Sequence, residues 1–114
     1  MVLILGKNDK NSPIIQAEMY ELNLPGEIIL KEVMDGNAKR IGVVRCVRIS
    51  FPTRIELIVK GLDVEIPINF KDITNIGTVI QLKSKIKVAE ECDVNDVLRL
   101  TNEIRQEMKE LYTG

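Results

Sequence analysis

The sequence contains no histidine and no tryptophan, only two cysteines, and 4% aromatic residues. Without histidine there is no imidazole base, no Ser-His-Asp or Cys-His nucleophile and no histidine metal ligand. The two thiols, Cys46 and Cys92, cannot complete a four-thiolate zinc site. No apolar run approaches the roughly 20 residues that a membrane-spanning helix needs. The opening Met-Val-Leu-Ile-Leu-Gly lacks the basic flank and the length of a signal peptide. These absences predict a cytoplasmic protein with reduced thiols. Neither a calcium loop of the Asp-x-Asp-x-Asp-Gly kind nor a glycine-rich phosphate loop is present. Enzymatic activity, cofactors and bound metals are therefore not expected.

What the chain does hold is branched aliphatic side chains: 16 Ile, 11 Val and 11 Leu among 114 residues. That supply is enough for one buried core and excludes global disorder. Charge is nearly balanced, at 16 basic against 17 acidic residues, but it is unevenly spread. Residues 1–88 carry 13 basic and 10 acidic side chains, and residues 89–114 carry 3 basic and 7 acidic.

The hydrophobic pattern divides the chain into three parts: an N-terminal extension over 1–26, a β-rich unit over 27–88 and a C-terminal helix over 89–114. In the extension, Val2 to Leu5 reads as a strand. Gly6 to Pro13 reads as a loop, and Ile14 to Leu22 as a strand or short helix. From Glu27 the period is close to two. Strands are predicted over Glu27–Met34, Ile41–Phe51, Arg54–Lys60, Val64–Phe70, a stretch after Gly77, and Ile86–Val88. Turns are predicted at Asp35-Gly36-Asn37, Pro52-Thr53 and Gly61-Leu62-Asp63. Arg45 interrupts an otherwise apolar face, which predicts a bulge or an edge there. Phe51 is expected to point inward. Several short strands at regular spacing imply a mainly β fold, a small barrel or sandwich of about five to seven strands.

At Glu90 the period changes. Asp93 is a candidate N-cap with Asp96 in the first turn. Val97, Leu100, Ile104, Met108 and Leu111 then follow at spacings of three and four, as on one face of an amphipathic helix. A helix of this length is marginal alone and must dock on something. The stripe predicts docking on the protein's own sheet. Together with Leu98 it also predicts a homodimer contact, because its spacing is nearly heptad.

Two further groups are candidates for chemistry. Lys39, Arg40, Arg48, Arg54 and Lys60, with Arg45, fall on one predicted hairpin. They form a possible phosphate-contacting patch for RNA or lipid headgroups, or simply a solvated exterior. Cys92 lies near a helix start, where a thiol pKa can be lowered, so Cys46 and Cys92 are candidates for a redox role as well as for plain packing.

The phrases Arg40-Ile41-Gly42-Val43-Val44-Arg45-Cys46-Val47-Arg48-Ile49 and Glu65-Ile66-Pro67-Ile68-Asn69-Phe70-Lys71-Asp72-Ile73-Thr74-Asn75-Ile76-Gly77-Thr78-Val79-Ile80-Gln81-Leu82 resemble the opening and closing strands of the PRC-barrel domain. Thr78 stands where an Asp is more usual in that pattern. The resemblance implies a small PRC-type β-barrel with Pro67 at a strand edge. It also implies a helical turn at Lys71-Asp72-Ile73 plugging one barrel end, and an unusual backbone angle at Gly77. It further implies a non-catalytic adaptor similar to stand-alone archaeal PRC-barrel proteins. Those work with FtsZ-based division machinery and its membrane-linked adaptor SepF, so recruitment to the division site through such a partner is implied too. The barrel domain of the ribosome-maturation factor RimM is also similar, which implies a ribosome- or RNA-associated role as the alternative.

Overall fold

A computed structural model describes residues 2–7, 13–23 and 26–113. The chain is mainly β, with one C-terminal helix. Its strands are β1 (Val2–Lys7), β2 (Pro13–Met19), β3 (Glu32–Met34), β4 (Arg40–Ser50), β5 (Arg54–Lys60), β6 (Glu65–Asn69), β7 (Ile73–Ile76) and β8 (Val79–Leu82). A single 3-10 turn at Phe70–Asp72 joins β6 to β7, and helix α1 covers Val94–Thr113.

Strand β4 is the centre of the sheet. One of its edges pairs with β5 along Val43–Ser50. The other edge is shared, with β3 taking the first part and β2 taking Val47–Ser50. Beyond β3 the sheet continues through β8 to β7, beyond β2 to β1, and beyond β5 to β6. Among the described residues only the β3–β8 pair is parallel. The hydrogen-bonded path does not return on itself among the described residues, so the sheet is open. Among the described residues strand β6 pairs only with β5 and is an edge. Pro67 lies in it, where a missing N–H is tolerated.

The expected irregularity at Arg45 is present. The β4–β5 register shifts between Val44 and Cys46, leaving Arg45 as the extra residue. Because of that shift, Val44 and Val47 both join the main core with Leu57, Val59, Ile66 and Ile68. Val43, Cys46 and Ile58 take the opposite face, packed on α1 or near its end. Strands β4 and β5 are thus buried on both faces, which is why they read as near-continuous apolar runs.

Gly42 has φ +152°, and a Cβ there would collide with the Lys60 carbonyl oxygen. Gly77 has no left-handed backbone, and a Cβ there would make only ordinary contacts, so the unusual angle expected there is found at Gly42 instead.

Three other expectations are corrected. The strand predicted over Glu27–Met34 shortens to Glu32–Met34. Glu27 Oε1 accepts hydrogen bonds from the Leu22 and Ile29 N–H groups, and Leu30 takes φ +74°, so residues 27–31 form a turn. Ile28 and Ile29 are both buried, which gave the segment its strand-like composition. The strand predicted at Ile86–Val88 is a loop. Its backbone groups bond to side chains rather than to a ladder: Ile86 N–H to Asp35, and the Ile86 and Ala89 carbonyls to Lys39 Nζ. Phe51 does not point inward but is 52% exposed, because β4 ends at Ser50 and Phe51 opens the turn beyond it.

Candidate functional site

The C-terminal helix starts on a reciprocal cap. The Asp96 N–H donates to Asp93 Oδ1 at 2.8 Å, and the Asp93 N–H donates to Asp96 Oδ2 at 2.9 Å. Leu100 and Ile104 are fully buried against Val43 and Cys92, with Val97 and Met108 partly buried around them. Burying each of these large aliphatics stabilises by about 2–3 kcal/mol. Most of the stripe that sequence offered as a dimer seam is therefore spent on the chain's own sheet. Leu98, at 58% exposed, and Leu111, at 46%, lie outside that contact.

The basic residues do not form one free patch. Arg40 Nε lies 2.7 Å from Glu32, and Lys60 bridges to Glu103 and Glu107 on α1. Lys39 bonds to the carbonyls of the 86–89 loop. Arg48 is turned onto Glu18 and Glu65. Arg54 is the exposed member of the set without an ion pair among the described residues.

Sequence reasoning missed the cluster that Arg45 and Arg48 build. Glu18, only 6% exposed, receives Arg48 Nη2 at 2.8 Å, Arg48 Nε at 3.2 Å and Arg45 Nη2 at 3.3 Å. The Tyr20 hydroxyl donates to the other Glu18 oxygen at 2.7 Å, and Arg45 Nε reaches Glu65 at 2.9 Å. Burial pushes the Glu18 carboxyl up, but the hydrogen bonds from Arg48 and Tyr20 and the charge of Arg45 outweigh it and hold it below the usual value. Burial and the Glu18 carboxylate together raise Tyr20. Each titration point is driven away from pH ~7, Glu18 downward and Tyr20 upward. General acid–base work needs the opposite, a pKa near the working pH, so the cluster is suited to joining β2 to β4 and β6. The one signal in the sequence was Arg45 itself, a cation on an apolar face that required carboxylate partners.

Both cysteines are free and buried. Burial pushes the Cys46 thiol up to about 12. Cys92 is also raised, by burial and then by Asp96 and Asp93, so the nearby helix start does not activate it. Asp35 is fully buried, and its carboxylate accepts from the N–H groups of Asn37, Lys39 and Ile86. Burial raises this carboxyl, and those three donors more than reverse the effect.

The far end of the β2–β4–β5 ladder differs in character. Ile49 lies opposite Ile55, and the Phe51 N–H donates to the Ile15 carbonyl at 2.9 Å. Ile15, Phe51 and Ile55 are 43%, 52% and 45% exposed. The same alternation that buries Val47 and Leu57 deeper in the sheet thus carries its apolar face past the end of the core. On the other face Glu18, Arg48 and Glu56 stand in one row across the three strands, and Gln16, Ser50 and Arg54 in the next.

No helix among the described residues is long and apolar enough to cross a membrane. The fold and this site define a mainly β unit with an open sheet, a helix docked across one face and, among the described residues, an exposed apolar end. Comparison of the chain with protein-family models, with curated proteins and with solved structures finds no match.

Proposed function

We propose that the chain is a non-catalytic protein-binding adaptor on a PRC-like β scaffold whose sheet stays open, and that it holds its partner at the apolar end of the sheet. The observation that carries this reading is the joint exposure of Ile15 on β2, Ile55 on β5 and Phe51 in the turn that joins β4 to β5. Large apolar groups gathered at one surface mark contact sites more often than isolated ones do. The neutralised charge cluster and the raised thiols support a scaffold rather than a reaction centre. The resemblance of the Arg40–Ile49 and Glu65–Leu82 phrases to PRC-barrel proteins supports archaeal cell division as the setting. FtsZ or SepF is then the partner, and cytoplasmic protein is drawn to the division site through it. The apolar end is also the surface through which a homodimer would form.

Binding to purified FtsZ and SepF, measured beside the solution mass by light scattering, tests this reading. The double variant Phe51→Ser, Ile55→Ser is expected to lose partner binding while keeping its thermal midpoint, because both positions are exposed. Wild-type protein that binds neither candidate and stays monomeric overturns the reading.

A second reading, binding of RNA, gains from the position of Phe51. The ring is exposed beside Arg54 at a cleft of about 220 Å³ that Gln16, Ser50 and Thr53 also line. An exposed ring beside an exposed cation suits a stacked base and its phosphate. Steep salt dependence abolished in Phe51→Ala, Arg54→Ala favours this reading, and no RNA affinity at low salt removes it.

A further inference from the structure

A second surface, independent of the apolar sheet end, lies where the 20–30 segment meets the C-terminal half of α1. Tyr20, Glu21, Glu27, Ile29, Leu30 and Met108 line a groove of about 380 Å³ there. Its floor is apolar. Ile29 is buried, and Leu30 is held in its left-handed conformation with its N–H on the Val44 carbonyl at 2.9 Å. Met108 packs against all three apolar clusters of the protein, and its unbranched thioether can adapt to what lies over it.

The rim is acidic. Glu21 and Glu27 are both exposed, and neither is within ion-pairing distance of a cation among the described residues. Glu27 is fixed in place, because one of its oxygens accepts the Leu22 and Ile29 N–H groups at 3.2 and 3.1 Å. The last turn of α1 carries no basic residue, and the end of the helix itself contributes partial negative charge.

We infer that this groove is a docking site for a segment of another protein that places a bulky apolar side chain on Ile29, Leu30 and Met108 and a Lys or Arg between Glu21 and Glu27. The volume holds one or two side chains rather than a folded element. An apolar floor inside a carboxylate rim selects against acidic segments and against purely polar ones. The same charge discriminates against nucleic acid, whose phosphates would meet Glu21 and Glu27.

Fluorescence anisotropy with a short labelled peptide alternating Leu and Lys tests the assignment. Expected is saturable binding that weakens with salt and is lost when the Lys residues are replaced by Glu or the Leu residues by Ser. The variant Glu21→Gln, Glu27→Gln keeps an acceptor for the two backbone N–H groups and is expected to weaken binding by about tenfold. The variant Glu90→Gln, Glu91→Gln removes the same charge from an exposed loop and is expected to bind as wild type does. Equal weakening in both variants means diffuse charge attraction and overturns the proposal, as does an absence of saturable binding. A dimer dissociated by Glu21→Gln, Glu27→Gln makes the occupant a second copy and overturns it as well. The Phe51→Ser, Ile55→Ser variant leaves this binding intact, so failure here and failure at the sheet end are read separately.

Discussion

Val44 and Val47 are three residues apart on one strand, yet both side chains enter the same apolar cluster. In a regular strand an odd separation puts side chains on opposite faces. The one-residue shift at Arg45 resolves the conflict, and it delivers the displaced guanidinium to Glu18 and Glu65. The packing of the core and the charge cluster outside it are thus two results of one irregularity.

Replacing Glu18 by Ala leaves Arg45 and Arg48 without their shared carboxylate. Removing one partner of a largely buried ion network costs about 3 kcal/mol, most of it from the charges left behind. The midpoint of urea unfolding is expected to fall accordingly. Glu56→Ala, in the same row on β5 but outside the Glu18 ion network, is expected to change stability by less than about 0.5 kcal/mol.

Acid should unfold the protein through its two buried carboxylates. Glu18 and Asp35 are both held below their ordinary values in the folded chain. The unfolded chain takes up protons near pH ~4. Above that pH the ionised groups stabilise the fold in full, and the contribution is lost as pH falls through the lowered folded values. The alkaline side has the opposite sign. Cys46 is raised to about 12, so its contribution is complete below the ordinary thiol value and is lost as pH rises toward that number. Urea midpoints followed from neutral pH in both directions check this, and Glu18→Gln is expected to flatten the acid limb.

Gly42→Ala is expected to destabilise by about 2 kcal/mol or more, since its backbone angle is unfavourable for a side chain and the new methyl meets the Lys60 carbonyl. Gly77→Ala, with its nearest neighbour at 3.7 Å, is expected to be near neutral. Thermal midpoints of the two variants, compared side by side, distinguish a steric requirement from a general effect of removing glycine.

On the helix, Leu100→Ala and Ile104→Ala are each expected to cost about 2–5 kcal/mol. Leu98→Ala is expected to stay within about 0.5 kcal/mol, because Leu98 projects away from the sheet. If Leu98→Ala instead lowered a concentration-dependent midpoint, the exposed side of the helix would be a subunit contact.

Much of the β4–β6 region was legible because its turns and its period-two pattern agree, and because a lone Arg on an apolar face has few remedies besides a bulge. The helix was legible through its Asp93 cap and its three-and-four spacing. Failures occurred where side chains take over the role of a ladder. Glu27 closes the turn at Leu22 and Ile29, and Asp35 with Lys39 anchors the 86–89 loop, yet each of these residues looks like ordinary surface charge in a sequence. The charge cluster was illegible for a related reason. Glu18 and Arg48 are 30 positions apart, and only the β2–β4 register makes them neighbours. Phe51 was misjudged because alternation gives the face of a side chain but not the point where the core beneath it ends.

The edge formed by β6 alternates buried Ile66 and Ile68 around Pro67. A β-branched segment at an open edge invites another chain to add to it and begin a fibril. A proline at the middle position interrupts the row of donors that such stacking would use. Addition of a further strand, and growth into ordered aggregates, is therefore disfavoured along that border.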